Sequence, residues 1–532
     1  MRFPISALGQ LTHDDQLFVR LAADIGAGHW LGAYNNLTHA KGIGYSLFLA
    51  FNHLTGLPLK FSEQLLYLVA AGLFAVSAGQ LVRSRAAVLA TFSLLAFLPS
   101  AWDAGIGGRV LREGVYVSQV LLLVALGIRC WLLPPEQPRR LWWQGAVLGL
   151  VGGWFWLTRE EGVWLLPTLG VLMLYGVWGL HRAQWPWRRI AAVMATPLLA
   201  ATLVVGTVNT VNYAVYGVFR NNDFRSPDFL AGYGALTRLR HDHWQQFILF
   251  PRDARERAYA MSAAARELRP YLDGAGGDMW RQLGCQAVGA SPCPEILSAW
   301  FMWALRDAVA SAGHYDTALS ARSFYRRLAS EINAGCRQHP DDCLPARATL
   351  LPPWKDSYVQ GVEQTSRRVF HTLATLGNIA PGVAPSQGPA SELALVKSIT
   401  NGPLAPSEAN PAWDAALRNR VRMALARHLT TAERAISSIG LPLALAAWAL
   451  WSVAVLLRRR VPPAIWVAAT ALAAAVASRV VLLGLLDATS MPADNMQYLL
   501  PVAPLSLALL PVVFWGMVRW FQSQKKQCNS PS

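Results

Sequence analysis

The sequence predicts an all-α, polytopic membrane protein carrying a mainly helical domain outside the bilayer, and three observations predict it. Hydrophobic residues fill 53% of 532 positions and charged residues only 15%, too apolar a balance for an ordinary soluble enzyme. Several windows approach the span of about 20 apolar residues that a bilayer requires. Short arginine-rich connectors fall on alternate sides of successive windows, which is the positive-inside pattern.

Spans are expected near 62–82, 86–101, 114–131, 141–157, 163–180, 190–215, 436–456, 462–486 and 497–520. The connectors with Arg83 and Arg85, Arg139 and Arg140, Arg182 with Arg188 and Arg189, Arg458 to Arg460, and Lys525 with Lys526 are then cytoplasmic. They hold much of the excess behind the formal charge of +16, so the charge does not call for nucleic acid. The opposite connectors are extracytoplasmic. The expected organisation is a juxtamembrane segment 1–61, a transmembrane core 62–215, an extracytoplasmic domain 216–435, C-terminal spans 436–520 and a cytoplasmic tail 521–532, set in a cytoplasmic (inner) membrane.

Cysteine placement agrees with that sidedness. Cys130 lies at a span end and Cys528 in the tail, while Cys285, Cys293, Cys336 and Cys343 all fall in the long outer loop. Two local disulfides are expected there, 285–293 and 336–343. A metal site built from the four thiolates lacks the usual short spacing.

Along the chain, no apolar span precedes Asp14, so either the N-terminus is translocated without a span of its own or a first helix has been lost upstream, the second being preferred. Residues 15–31 read as an amphipathic helix through Leu17, Phe18, Leu21 and Ile25. Residues 43–59 are apolar but broken by Asn52, His53, Gly56 and Pro58, which suits a helix in the interface. Ser62 and Glu63 read as a helix start. Helices are expected over 294–312 and 318–334, a flexible Gly/Pro/Ser linker over 377–412, and a basic amphipathic helix over 412–438. There is no P-loop and no Rossmann glycine fingerprint, so a soluble nucleotide donor bound in a globular domain is not expected.

The chemistry concentrates at the outer ends of the spans. Asp14 and Asp15 are either a base with a helper carboxylate or the N-cap and first-turn acid of the following helix. Lys41, one of two lysines before position 355, either holds a phosphate or snorkels at the interface. Arg109, Arg112 and Glu113 read as a phosphate clamp with an acidic partner, or as a self-neutralising group at a span end. In Thr158-Arg159-Glu160-Glu161, Thr158 and Glu161 have capping-box spacing, which leaves Arg159 unexplained. His241-Asp242-His243 lacks zinc spacing and reads as solvated surface.

Taken in order, these stretches resemble the membrane-embedded GT-C glycosyltransferases, specifically the family-39-like branch with the protein O-mannosyltransferases and the lipid A aminoarabinose transferase. Asp14-Asp15 matches that family's acidic pair in the first outer loop, and Lys41-Gly42-Ile43-Gly44-Tyr45 stands where it has a Lys-Pro-Pro-Leu-like stretch. Arg109 to Glu113 matches a basic and acidic second outer loop. Leu157-Thr158-Arg159 matches a Leu-Thr-Lys-Gly-like turn, and Tyr498-Leu499-Leu500-Pro501 is similar to the last span. The loop 216–435 has no counterpart there.

The resemblance implies a GT-C-like helix core and sugar transfer from a polyprenyl-phosphate donor to a protein, lipid or glycan acceptor outside the membrane. Asp14 or Asp15 would then be the catalytic base, Lys41, Arg109 and Arg159 the phosphate ligands, and Arg112, Glu113 and Glu160 the orienting groups. A divalent cation, Mg or Mn, accompanies some members, although no ligand set stands out. A transporter or flippase for a lipid-linked glycan, or an inactive scaffold of the same fold, are the competing readings.

Overall fold

The computed structural model describes residues 3–133, 138–242, 246–288, 295–408, 416–458 and 461–528. It is built from helices joined by short 3-10 and π turns, with only isolated β-bridges among the described residues. The first half holds α1 (Asp15–Gly26), α2 (Gly44–Thr55), α3 (Leu59–Val82), α4 (Arg85–Ala96), α5 (Glu113–Gly127), α6 (Pro138–Thr158), α7 (Leu166–Arg182) and α8 (Trp187–Tyr216). The middle holds α9 (Pro227–Thr237), α10 (Arg252–Met261), α11 (Ala263–Glu267), α12 (Arg269–Leu272), α13 (Ala275–Val288), α14 (Ser298–Ser311) and α15 (Ala318–Gln338). The last part holds α16 (Ser357–Ala374), α17 (Ala390–Thr400), α18 (Leu417–Leu457), α19 (Ala464–Thr489), α20 (Met496–Leu499) and α21 (Ala503–Cys528).

Eight helices among the described residues are long and apolar enough to cross a membrane, so the chain is a helical, multi-pass membrane protein. They match the expected spans except at 141–157. That stretch is α6, a full-length helix, but Trp142, Trp143, Gln144 and its glycines dilute its hydropathy below the others. Its glycines serve packing instead. A Cβ at Gly149 or Gly153 would overlap α8, so the two helices lie backbone to backbone. The bundle core runs through Phe74, Tyr116, Leu121, Leu172, Leu472 and Leu505 and joins both ends of the chain.

The expected segment 216–435 divides by packing. Helices α9 to α15 form one cluster around Tyr233, Phe301, Leu305, Tyr325 and Leu328. Helix α16 packs instead along α19, with Val369 and Leu373 in the bundle core. Helix α17 packs on α1 and α2, placing Val396 and Ile399 beside Phe18 and Tyr45.

Three expectations need correction here. Residues 377–408 are not a flexible linker: Leu8 pairs with Gln387 and Ile5 with Leu404, so the N-terminal strand-like segment pins them down. Residues 409–412 lie outside the described residues. The basic helix and the following span are one 41-residue helix, α18, because nothing between Leu417 and Leu457 breaks it and Pro442 is tolerated inside. Helix α3 begins at Leu59, not at Ser62, and Glu63 makes ion and hydrogen bonds rather than a terminus.

Cys336 and Cys343 form the expected disulfide. Cys285 is disulfide-bonded as well, while its expected partner Cys293 lies outside the described residues, as do His243, Arg459, Arg460 and residues 529–532. Asp242 is exposed and pairs with Arg257.

Candidate functional site

Four short connections meet above one end of the bundle: the turn before α1, the loop entering α2, the loop entering α5 and the turn leaving α6. Each residue expected to act as base, phosphate ligand or orienting group sits on one of them, and the structure gathers them as neighbouring ion pairs. Lys41 pairs with Asp14. Arg109 grips Asp15 through two nitrogens, at 3.2 and 2.5 Å. Arg112 reaches Glu160 at 2.6 Å, and Arg159 reaches Glu113 at 2.6 Å and Glu161 at 3.2 Å.

Glycine explains how the Lys41 loop comes so close to α6. A Cβ at Gly42 would overlap the Leu157 carbonyl, and one at Gly44 would overlap Thr158. With both positions bare, the Gly42 amide donates to Glu160 at 2.8 Å and Trp154 donates to the Gly44 carbonyl at 3.0 Å.

The structural alternatives hold in part, since Asp15 is the first-turn acid of α1 as that reading expects. Asp14 occupies the N-cap position of α1, yet its side chain makes no capping bond. Arg109, Arg112 and Glu113 do not neutralise one another: Arg109 pairs with Asp15 of α1, and Arg112 and Glu113 pair with Glu160 and Arg159 in the turn leaving α6. The capping box is absent too: Thr158 Oγ1 donates to the Trp154 carbonyl and accepts from Gln119, and Glu161 turns to two arginines.

Burial separates the paired aspartates. Asp14 lies deep among protein atoms but keeps 49% of its side chain open, so it faces a cleft. Burial works to raise its pKa, but the Lys41 ammonium bonded to it, backed by Arg109 and Arg112, holds it below the usual carboxylate range. Asp15 is closed off, and burial pushes its pKa up despite Arg109, with the Asp14 charge adding to the rise. Glu160 is held low by Arg112 and the Gly42 amide against the cost of burial. Glu161 drops to about 2, because Arg159 and Arg479 overcome burial there.

Several participants escape a reading of the sequence. Arg479, fully buried within α19, reaches Glu161 at 3.4 Å and donates to the Tyr498 carbonyl at 2.7 Å. An arginine inside an apolar span costs enough to signal function, so that clue was available. The Arg159 guanidinium lies between the rings of Tyr116 and Tyr498, 5.6 Å from each centroid. Asn222 bonds Glu160 at 2.9 Å, and Trp303 on α14 lies 5.4 Å from the Lys41 ammonium. Lys60, the other early lysine, pairs with Glu63 and donates to the Arg109 carbonyl.

Lys60, Glu63, Arg109 and Glu113 also line a partly open cavity of about 70 Å³, together with Gln64 and Ser100. Its other walls are Tyr67, Ala96, Leu98, Leu111, Val117 and Leu500, from α3, α4, α5 and the turn before α21. Charged and apolar side chains share the lining.

No family model, curated protein or solved structure matches this chain.

A divalent cation does not fit that geometry. Among the described residues no group of three or more His, Cys, Asp or Glu could hold a metal, and the site carboxylates are committed to lysine or arginine.

Proposed function

We propose that this protein is a glycosyltransferase of the GT-C kind, moving a sugar from a polyprenyl-phosphate donor to an acceptor hydroxyl outside the cytoplasmic membrane. The observation that carries this reading is the group of neighbouring ion pairs at the outer ends of the spans, where the half-open Asp14 pairs with Lys41 and where Arg109 and Glu113 also line a small cavity of mixed polar and apolar character. That mixed lining suits the point where a prenyl chain joins its phosphate.

In this mechanism Asp14 accepts the proton of the acceptor hydroxyl while that oxygen bonds to the anomeric carbon. The bond from that carbon to phosphate breaks, and the stereochemistry inverts. Lys41, Arg109 and Arg159 stabilise the charge arriving on the phosphate, and charges fixed in place beforehand often do most to lower a barrier of this kind. Arg112, Glu113 and Glu160 keep those cations in place. Asp15 is closed off by Arg109 and orients it, so Asp14 is the better candidate for the base.

The Asp14–Lys41 pair suggests how base and donor are coupled. A donor phosphate competes with Asp14 for the Lys41 ammonium. Once Lys41 turns to phosphate, the carboxylate loses its main stabilising charge and becomes a stronger base. Base strength would then rise only with donor in place.

The test is sugar transfer by purified protein in lipid nanodiscs, using radiolabelled polyprenyl-phosphate sugars and a membrane extract as acceptor. Transfer by wild type and its loss in Asp14→Asn is the expected result. No transfer from any donor, with Asp14→Asn still complementing a deletion strain, would overturn the enzyme reading in favour of transport or a scaffold.

A further inference from the structure

The residue before Asp14 occupies a site of its own. The His13 ring stands edge-on to Trp280 at 4.9 Å and to Trp303 at 5.3 Å. Its Nε2 lies 3.3 Å from the Asp307 carboxylate, and its Nδ1 lies 3.0 Å from Thr12 Oγ1. Asp307 is itself prepared for this role. It accepts from Asn36 at 2.6 Å and from Tyr271 and Trp280 at 3.2 Å, and among the described residues no lysine or arginine pairs with it. An aromatic enclosure around a carboxylate with no lysine or arginine partner among the described residues is a seat for a flat hydrogen-bonding ring such as imidazole. Here the protein fills it from its own N-terminal segment.

What that docking controls follows from the backbone. Asp14 sits in a non-helical conformation before α1 and makes no side-chain cap to hold the turn. It is instead fixed on both sides, by Asp15 on Arg109 and by His13 in the socket. Trp303 ties the two together, since its ring meets His13 on one side and the Lys41 ammonium on another. The socket belongs entirely to α12, α13 and α14, apart from Asn36 and His13 itself.

We propose that His13 is a positioning residue, through which the α9–α15 domain sets the place of the Asp14 carboxylate in the cleft. The role assigned to Asp14 rests on the glycosyltransferase reading; the docking itself does not. A shift of about 1 Å in a reacting group can cost on the order of 10²-fold in rate.

The experiment uses the full chain in nanodiscs and two readouts. The first is steady-state transfer by wild type, His13→Ala, His13→Gln and Asp307→Ala. Losing the anchor should lower kcat by roughly 10–100-fold and leave KM for the donor unchanged, because the cavity at Lys60 is untouched. His13→Gln keeps an amide donor for Asp307 and should recover part of the loss. His13→Ala and Asp307→Ala should not add when combined, since either one empties the same contact. The second readout is hydrogen exchange over residues 10–20, which should quicken in His13→Ala and Asp307→Ala whatever the enzyme does.

A wild-type kcat in His13→Ala, a loss expressed only in KM, or Gln no better than Ala would overturn the proposal. If wild type transfers no sugar, the reading of the reaction fails while the exchange result still decides the docking. Unchanged exchange in both alanine variants would sink that as well.

Discussion

At the scale of the residue, the two neighbouring aspartates should respond oppositely to the same substitution. Asp14→Asn removes a half-open carboxylate from a cleft, so folding should be nearly unaffected while transfer falls by roughly 10²–10⁴-fold, the usual worth of one general base. Asp15→Asn leaves the Arg109 guanidinium without its charged partner, a loss that relief of the Asp15 burial penalty partly offsets, so the cost should stay below the roughly 3–5 kcal/mol of a fully buried pair. Its thermal midpoint should drop visibly, and differential scanning fluorimetry of the two variants distinguishes base from strut. Glu161 gives a pH test with a definite sign. Its folded pKa of about 2 lies below the ordinary 4.5, so its contribution to stability is complete above 4.5 and is lost as the pH falls towards 2. Melting of the wild type should steepen in that window, and Glu161→Gln should be flatter there. Equal slopes would mean the arginines do not hold that carboxylate.

At the scale of the element, the Lys41 loop depends on two missing side chains. Gly42→Ala would drive a methyl into the Leu157 carbonyl, which is backbone and cannot turn away. The loop should retreat, breaking the Gly42–Glu160 bond and moving Lys41, with loss of both stability and transfer; Gly56→Ala, where the added carbon meets open space but φ is +69°, should cost stability alone. Such contrasts mark what a sequence reveals and what it hides. Long apolar helices such as α3, α5 and α19 are legible because burial in lipid is a one-dimensional property of a stretch. The residues of the site were legible because charge beside a span is conspicuous. Their partners were not. Capping-box spacing at Thr158 and Glu161 is a local rule, and it lost to Arg479, which lies 318 positions away. The Gly/Pro-rich stretch around 380–405 looked unstructured for a similar reason, since its hydrogen bonds go to Ile5, Ala7 and Gln387's partner Gly9 rather than to neighbours.

At the scale of the molecule, two buried arginines fasten separate bodies to the charged site. Arg479 joins the C-terminal helices to the turn after α6 through Glu161 and the Tyr498 carbonyl. Arg306 joins the α9–α15 domain to the loop before Lys41, through Asp223 at 2.8 Å and the Asn36 carbonyl. Neither fastening shares a partner with the other, so they form two independent routes by which distant parts of the chain fix the site. Replacing one member of a buried pair typically costs about 3–5 kcal/mol, because the remaining charge loses its compensation. Glu161 keeps Arg159 and Asp223 keeps Arg220, so each loss here should fall at or below the lower end. Arg479→Met and Arg306→Met should therefore each lower stability by roughly 2–3 kcal/mol, and the double variant by about their sum. Their effects on transfer should differ in kind. Arg479→Met alters the cations around Arg159 and should raise KM for the donor. Arg306→Met loosens the domain that carries Trp280, Trp303 and Asp307, and should lower kcat instead. A double variant no worse than either single one would show that the two routes are one, with the domain and the C-terminal helices moving together.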